Sequence, residues 1–340
     1  MTTPLPTLHK ATQPGDFLAA VPPMLGYQPT DSVVVIPFDG PRTIGAMRFD
    51  LPSVENAVHL ATVAAGLVCR VENATGLAVI VYGERAEAEA VAEAITQTAD
   101  ECGLSMIERF YVTGAGWGLI GDDAVSPMPE VPEHLAAMVT AADQHAGAVL
   151  PEADEALARE VAEALPGDLG IRLAMLDVDP LDLFEQSLSW DGSDLKAQSA
   201  ATMITLLNRP SLRDVAVVQW AHGFAAGESA LDAQIAWENG VDYPKHLAMV
   251  MWGEGPRPDA DRLSAALTAC RHLAALAPES EQVGPLAVAA WLSWALGRST
   301  HADAYSLRAL AIDPEHGLSQ IVGTFVAAGH LPDFSFAVSR

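Results

Sequence analysis

Four polar side chains of unlike chemistry gather at one end of a sheet that the sequence implies. Asp31 and Ser32 open an apolar, β-branched run, and Arg48 and Asp50 alternate on one face of the strand that follows, just before Leu51-Pro52. If the two strands pair as an antiparallel hairpin, Arg48 and Asp50 lie toward the same end as Ser32. A guanidinium, carboxylates and a hydroxyl placed together can hold a small polar ligand. The same groups also make a local ion pair and Asx or Ser turn bonds. A second candidate is the pair Trp291 and Trp294, three apart on one predicted helix and so nearly on one face. If exposed, they form an aromatic anchor for a protein partner.

Other motifs carry less chemistry. Gly116-Trp117-Gly118-Leu119-Ile120-Gly121 satisfies G-x-G-x-x-G, but Asp122, Asp123, Pro127 and Pro129 follow where a dinucleotide site needs a helix N-terminus. The spacing predicts a strand and turn there, with Trp117 partly buried. Asp177, Asp179 and Asp182 lack the glycine and terminal Glu of a calcium loop, and Asp179-Pro180 reads as a helix start. P-loop, nucleophile-elbow and zincin signatures do not occur. No cofactor or metal is expected, and no catalytic residue is assigned.

These residues need elements to position them. A short helix begins near Thr12 or Asp16 and is expected to stop at Pro22-Pro23. Strands are expected at Ser32 to Phe38 and Thr43 to Asp50. A helix capped by Ser53 then runs to about Val71, with Val54, Ala57, Val58, Ala61, Ala64, Ala65 and Val68 inward. Gly76 to Tyr82, Glu84 to Glu101 and Ser105 to Thr113 form a right-handed strand–helix–strand crossover. Beyond Pro129 strand patterns cease. Helices are predicted at Glu133 to Ala142, Glu152 to Leu165, Asp194 to Leu207, Ser211 to Phe224, Leu231 to Glu238, Asp259 to Leu276, Pro285 to Leu296, His301 to Ile312 and His316 to Ala328. The fold class is therefore α/β followed by all-α. The expected domains are an α/β unit at 1–130, with a mixed sheet, hairpin and crossover, and a helical array at 131–340 packed against it.

Composition narrows the partners. The formal charge of −26 over 340 residues is spread along the chain, with no basic stripe to meet a phosphate backbone or anionic lipid. Nucleic acid and membrane are not expected partners. Cys69, Cys102 and Cys270 are distant in sequence and odd in number, which predicts buried thiols in a reducing cytoplasm. The most apolar helix, near Pro285 to Leu296, is shorter than the ~20 residues that span a bilayer.

Leu18-Ala19-Ala20-Val21-Pro22, Leu25 to Val34 and Arg48-Phe49-Asp50-Leu51-Pro52 resemble the opening signature of the domain of unknown function 4192 family. Weaker agreement recurs at Ala146 to Pro151, Leu212-Arg213-Asp214 and Asp313-Pro314-Glu315-His316. The family pattern often carries a cysteine cluster after its Trp-containing strand, and this chain has no cysteine from Gly121 to Glu130. The resemblance implies a fold and no activity. Ala302, Ala309 and Pro314 resemble, in spacing, the second helix of a tetratricopeptide-type hairpin, without a 34-residue repeat. The leading expectation is a cytoplasmic, non-enzymatic interaction or regulatory protein with a protein partner, to which an acidic surface would draw basic chemistry. The alternatives are a small-ligand protein or enzyme using Asp31, Ser32, Arg48 and Asp50, and a structural subunit of an assembly.

Overall fold

The computed structural model describes residues 11–192 and 195–336. The chain divides at Gly147 and Ala148 into two compact units.

The first unit is built on a mixed sheet. Among the described residues its strands are β1 (Ser32–Asp39), β2 (Arg42–Thr43), β3 (Met47–Asp50), β4 (Gly76–Tyr82), β5 (Ser105–Thr113) and β6 (Gly116–Leu119), in the order β2-β1-β4-β5-β6 with β3 also on β1. Only β4 and β5 are parallel neighbours; the other pairs are antiparallel. Period-2 alternation divides the sheet between two cores. Val34, Ile36, Ile80, Tyr82, Phe110 and Val112 face Leu18 and Val21 of α1 (Pro14–Leu25). Val33, Val35, Val79 and Val81 face α2 (Ala57–Arg70) and α3 (Arg85–Glu101). The helix α4 (Glu133–Ala136) packs near α1.

The expected β1, β4, β5 and α3 are present within a residue, because long apolar runs and a full helical stripe leave little choice of element. Four expectations need correction. First, α1 passes through Pro22 and Pro23 and ends at Leu25. The prolines remove two N–H donors, but the helix buries Leu18 and Val21, and left-handed Gly26 (φ 84°) closes it by donating to the Pro22 carbonyl at 2.8 Å. Second, the strand from Thr43 to Asp50 is broken. Residues 44–46 bulge opposite Ile36 and Pro37, and Pro37 has no N–H for an edge partner. Third, Val54 and Val58 are exposed while Leu60 and Leu67 are buried. The other five expected residues, Ala57, Ala61, Ala64, Ala65 and Val68, are buried as expected, and Val54 falls in a 3-10 turn (Val54–Asn56) that precedes α2. Fourth, the helix from Glu133 closes at Ala136.

The second unit is helical throughout its described residues: α5 (Glu155–Ala164), α6 (Leu169–Leu176), α7 (Pro180–Ser187), α8 (Ala197–Leu207), α9 (Pro210–His222), α10 (Phe224–Glu238), α11 (Lys245–Met251), α12 (Ala260–Leu276), α13 (Val283–Ala295), α14 (Ser299–Ile312) and α15 (Gly317–Ala327). The expected start at Asp194 lies outside the described residues; the helix is described from Ala197. Asp179 caps α7 through the Asp182 N–H at 2.9 Å, as its position before Pro180 implies. Helices α6 and α11 were not foreseen, being 8 and 7 residues long. α13 is buried along its whole length and packs with α12 and α14, which accounts for Ala302 and Ala309 having no exposed surface.

Candidate functional site

The hairpin brings the sequence-predicted group together. Ser32 pairs with Asp50 on one side and with Tyr82 on the other, and Val34 pairs with Arg48. Ser32, Arg48, Asp50 and Tyr82 therefore share the α1 face, at the end of the sheet where parallel β4 finishes. Arg48 Nε donates to Ser32 Oγ at 2.7 Å, and Ser32 Oγ donates to the Thr30 carbonyl at 2.6 Å. Arg48 Nη1 meets Asp50 Oδ1 at 2.7 Å, with the arginine side chain 6% exposed and the aspartate 81%. Asp31 is exposed and stands apart by conformation: its φ is 43°, and its carbonyl accepts from the Leu51 N–H. Buried Gln144 closes the end from outside the sheet, accepting from the Thr30 N–H and donating to the Thr30 carbonyl. The Tyr27 hydroxyl is pushed up chiefly by burial and secondarily pulled down by Arg48.

Tyr82 is the unexplained member. It is 4% exposed, its hydroxyl has no hydrogen-bond partner among the described residues, and burial raises its pKa. A buried polar atom without a partner costs about 1–3 kcal/mol. In the unliganded protein Tyr82→Phe should therefore stabilise the first unit by about 1 kcal/mol. Arg48→Met should destabilise it by about 2 kcal/mol, because Ser32 Oγ and Asp50 lose a charged donor. Chemical denaturation of both variants checks the opposite signs; destabilisation by Tyr82→Phe would mean that the hydroxyl has a partner.

The second expected site is placed differently. Trp291 and Trp294 have no exposed surface. Their indole N–H groups donate to the Met251 carbonyl at 3.0 Å and the His330 carbonyl at 2.8 Å. Neither ring is open to a partner, because α13 is enclosed on all faces. They instead support a surface that the sequence did not reveal. Trp294 stacks on Phe325 at 4.7 Å, and Phe325 packs on Trp252 at 5.5 Å.

Trp252 stands in a two-lobed groove of the helical unit. Adjoining cavities of about 210 and 330 Å³ share Asp214, Met251 and Trp252. One lobe adds Leu318 and Ile321 from α15; the other adds Trp237 of α10 with Tyr243 and Leu247. Trp237 and Trp252 are 56% and 51% exposed. Buried Arg213 sends Nε and Nη2 to Asp214 Oδ1, at 2.9 and 2.8 Å. Nothing among the described residues engages Asp214 Oδ2. Burial raises the Asp214 carboxyl above the usual carboxylate range, against the lowering pull of Arg213. Arg213 Nη1 also lies 3.4 Å from His316 Nε2. His316 Nδ1 caps α15, accepting from the Ser319 N–H at 3.4 Å, with Ser319 Oγ 2.9 Å away. Burial and then Arg213 push His316 below its ordinary value. Among the described residues no cluster of three His, Cys, Asp or Glu is placed to hold a metal.

Residues 14–169 match the family described as Domain of unknown function (DUF4192). This segment is a DUF4192 domain. It covers the sheet, the Asp31/Ser32/Arg48/Asp50 end and the first helix of the second unit. No curated protein and no solved structure matches the chain. The groove lies wholly beyond the DUF4192 segment. Its polar floor joins two short blocks, Leu212-Arg213-Asp214 and Asp313 to His316, where weaker agreement with the family was expected and which lie outside the matched residues.

Proposed function

We propose that the protein is a cytoplasmic, non-enzymatic recognition module whose helical groove takes a short segment of a partner protein, one with a cationic side chain beside an apolar one. The observation that carries this reading is Asp214, which lines both lobes with Oδ2 uncommitted between the half-exposed Trp237 and Trp252. Exposed indoles above an apolar wall are the usual anchors of protein interfaces. Tryptophan faces also attract ammonium and guanidinium groups, and a net charge of −26 draws cationic segments by long-range attraction. The apolar side chain would enter against Met251, Leu318 and Ile321. Free thiols at exposed Cys69 and Cys102 fit a reducing compartment.

The test is binding of fluorescent peptides that place Lys or Arg next to Leu, with Glu-for-Lys versions as controls. Trp252→Ala should weaken the best binder by about tenfold or more, near 1.4 kcal/mol, with little change in stability. Asp214→Asn should remove the preference for the cationic peptide. Binding that ignores both substitutions, or no binding by any cationic peptide, overturns the reading.

The sheet end supports a second reading, a small polar ligand held by the DUF4192 domain, because the Tyr82 hydroxyl is buried there without a partner among the described residues. A metabolite retained through native purification and lost from Tyr82→Phe would favour it.

A further inference from the structure

Cys69 and Cys102, expected as separate buried thiols, are both exposed and face each other closely enough for a side-chain hydrogen bond. Topology brings them together. β3 and β4 are each antiparallel to β1, so they run in the same direction. Their following helices, α2 and α3, return over one face of the sheet, pack side by side and finish at the same end. Cys69 is the penultimate residue of α2 and Cys102 is the C-cap of α3. The third cysteine, Cys270, is fully buried in the helical unit.

We propose that Cys69 and Cys102 form a redox-modification site, a dithiol that peroxide converts reversibly into an intramolecular disulfide linking the C-terminal ends of α2 and α3. The Cys102 thiolate attacks one peroxide oxygen; an S–O bond forms, the O–O bond breaks, and the released hydroxide takes a proton to leave as water. The Cys69 thiolate then attacks the sulfenic sulfur, forming the S–S bond and breaking the S–O bond, and a second water departs. The two thiols lose two electrons and two protons in total, and hydrogen peroxide accepts both electrons. Burial and the neighbouring Cys102 raise Cys69.

The experiment uses the full-length protein, reduced and desalted, then exposed to hydrogen peroxide. The expected result is a mass lower by two hydrogens, a Cys69–Cys102 linked peptide on non-reducing digestion, and recovery with dithiothreitol. Both thiols reactive in the native protein should disappear, while Cys270 is still alkylated after denaturation. In Cys69→Ser the reaction should halt at a Cys102 sulfenic acid that dimedone labels, which reads out the chemistry even if the disulfide does not form. Thiols that stay reduced, independent oxidation of each to sulfinic acid, or disulfides found only between chains overturn the proposal.

Discussion

Trp294→Ala is expected to cost the helical unit about 3–5 kcal/mol. The indole is completely buried, stacks on Phe325, lies 6.2 Å from the Trp291 ring, and donates its N–H to the His330 carbonyl. Truncation therefore opens a large cavity and strips a carbonyl of its donor in one step. Collapse around the hole is hindered at Gly253, where the backbone (φ 75°) already approaches the Trp294 ring. Because Phe325 joins Trp294 to Trp252, the groove should loosen as the core does. Urea unfolding of the variant beside Trp252→Ala separates the two roles. The buried tryptophan should lower the transition midpoint strongly, and the half-exposed one should shift stability by no more than about 1 kcal/mol. A Trp294→Ala protein as stable as its parent would show that this ring is not a core group.

Those two tryptophans mark how far the sequence could be read. The spacing from 291 to 294 correctly implies a shared helix face. What covers that face depends on α12, α14, α15 and the loop at His330, none of which the local pattern encodes. The same limit explains the rest of the fold. Val33 to Ile36 and Leu77 to Val81 announced strands because buried strands are continuous apolar runs. Ala88, Val91, Ala92, Ile95 and Ala99 announced α3 through their 3.6-residue period. The break between β2 and β3 hinged on the missing N–H of Pro37 across the ladder, a non-local fact. The stripe of α2 was legible from Ala57 to Val68, but Val54 falls in a 3-10 turn and Val58 faces outward.

The sheet end was legible because Arg48 and Asp50 alternate on one strand and an antiparallel hairpin fixes which residues they meet. Tyr82 was not, since it enters through β4, more than thirty residues later. The groove draws Arg213 and Asp214 from α9, Trp237 from α10, Trp252 from the end of α11 and His316 from the start of α15. No pair of these shares a periodic pattern, so only the packing of four helices could assemble them. The facing cysteines have the same origin: 33 positions apart in sequence, they meet because two helices cross the sheet in the same direction.

The groove floor should show a marked asymmetry between its two charged partners. Arg213→Leu is expected to destabilise the helical unit by about 2–4 kcal/mol, below the full 3–5 kcal/mol for breaking a wholly buried pair because the Asp214 side chain is 39% exposed. The substitution leaves a partly desolvated carboxylate without its guanidinium and removes the Arg213 contact at His316 Nε2. Asp214→Asn should change stability by less than about 1 kcal/mol. The sign follows from the carboxyl, whose folded value lies above its ordinary one because burial outweighs Arg213. Such a group favours the folded state below its unfolded pKa, near 3.9. That contribution is lost as pH rises through the higher folded value, so at neutral pH the native unit already carries a charge it holds poorly. An uncharged isostere removes that strain. Deleting Arg213 raises the carboxyl further and widens the window, so the Arg213→Leu protein should regain stability on acidification from pH 7 toward 5 relative to its parent. His316 acts in the same direction, since its depression is partly due to Arg213 and relaxes with it. Combining Arg213→Leu with Asp214→Asn should recover much of the loss, a coupling of about 2 kcal/mol in a double-mutant cycle. Additive single effects would mean that the pair is a surface contact, and the groove would then lack the fixed acid on which recognition of a cationic side chain depends.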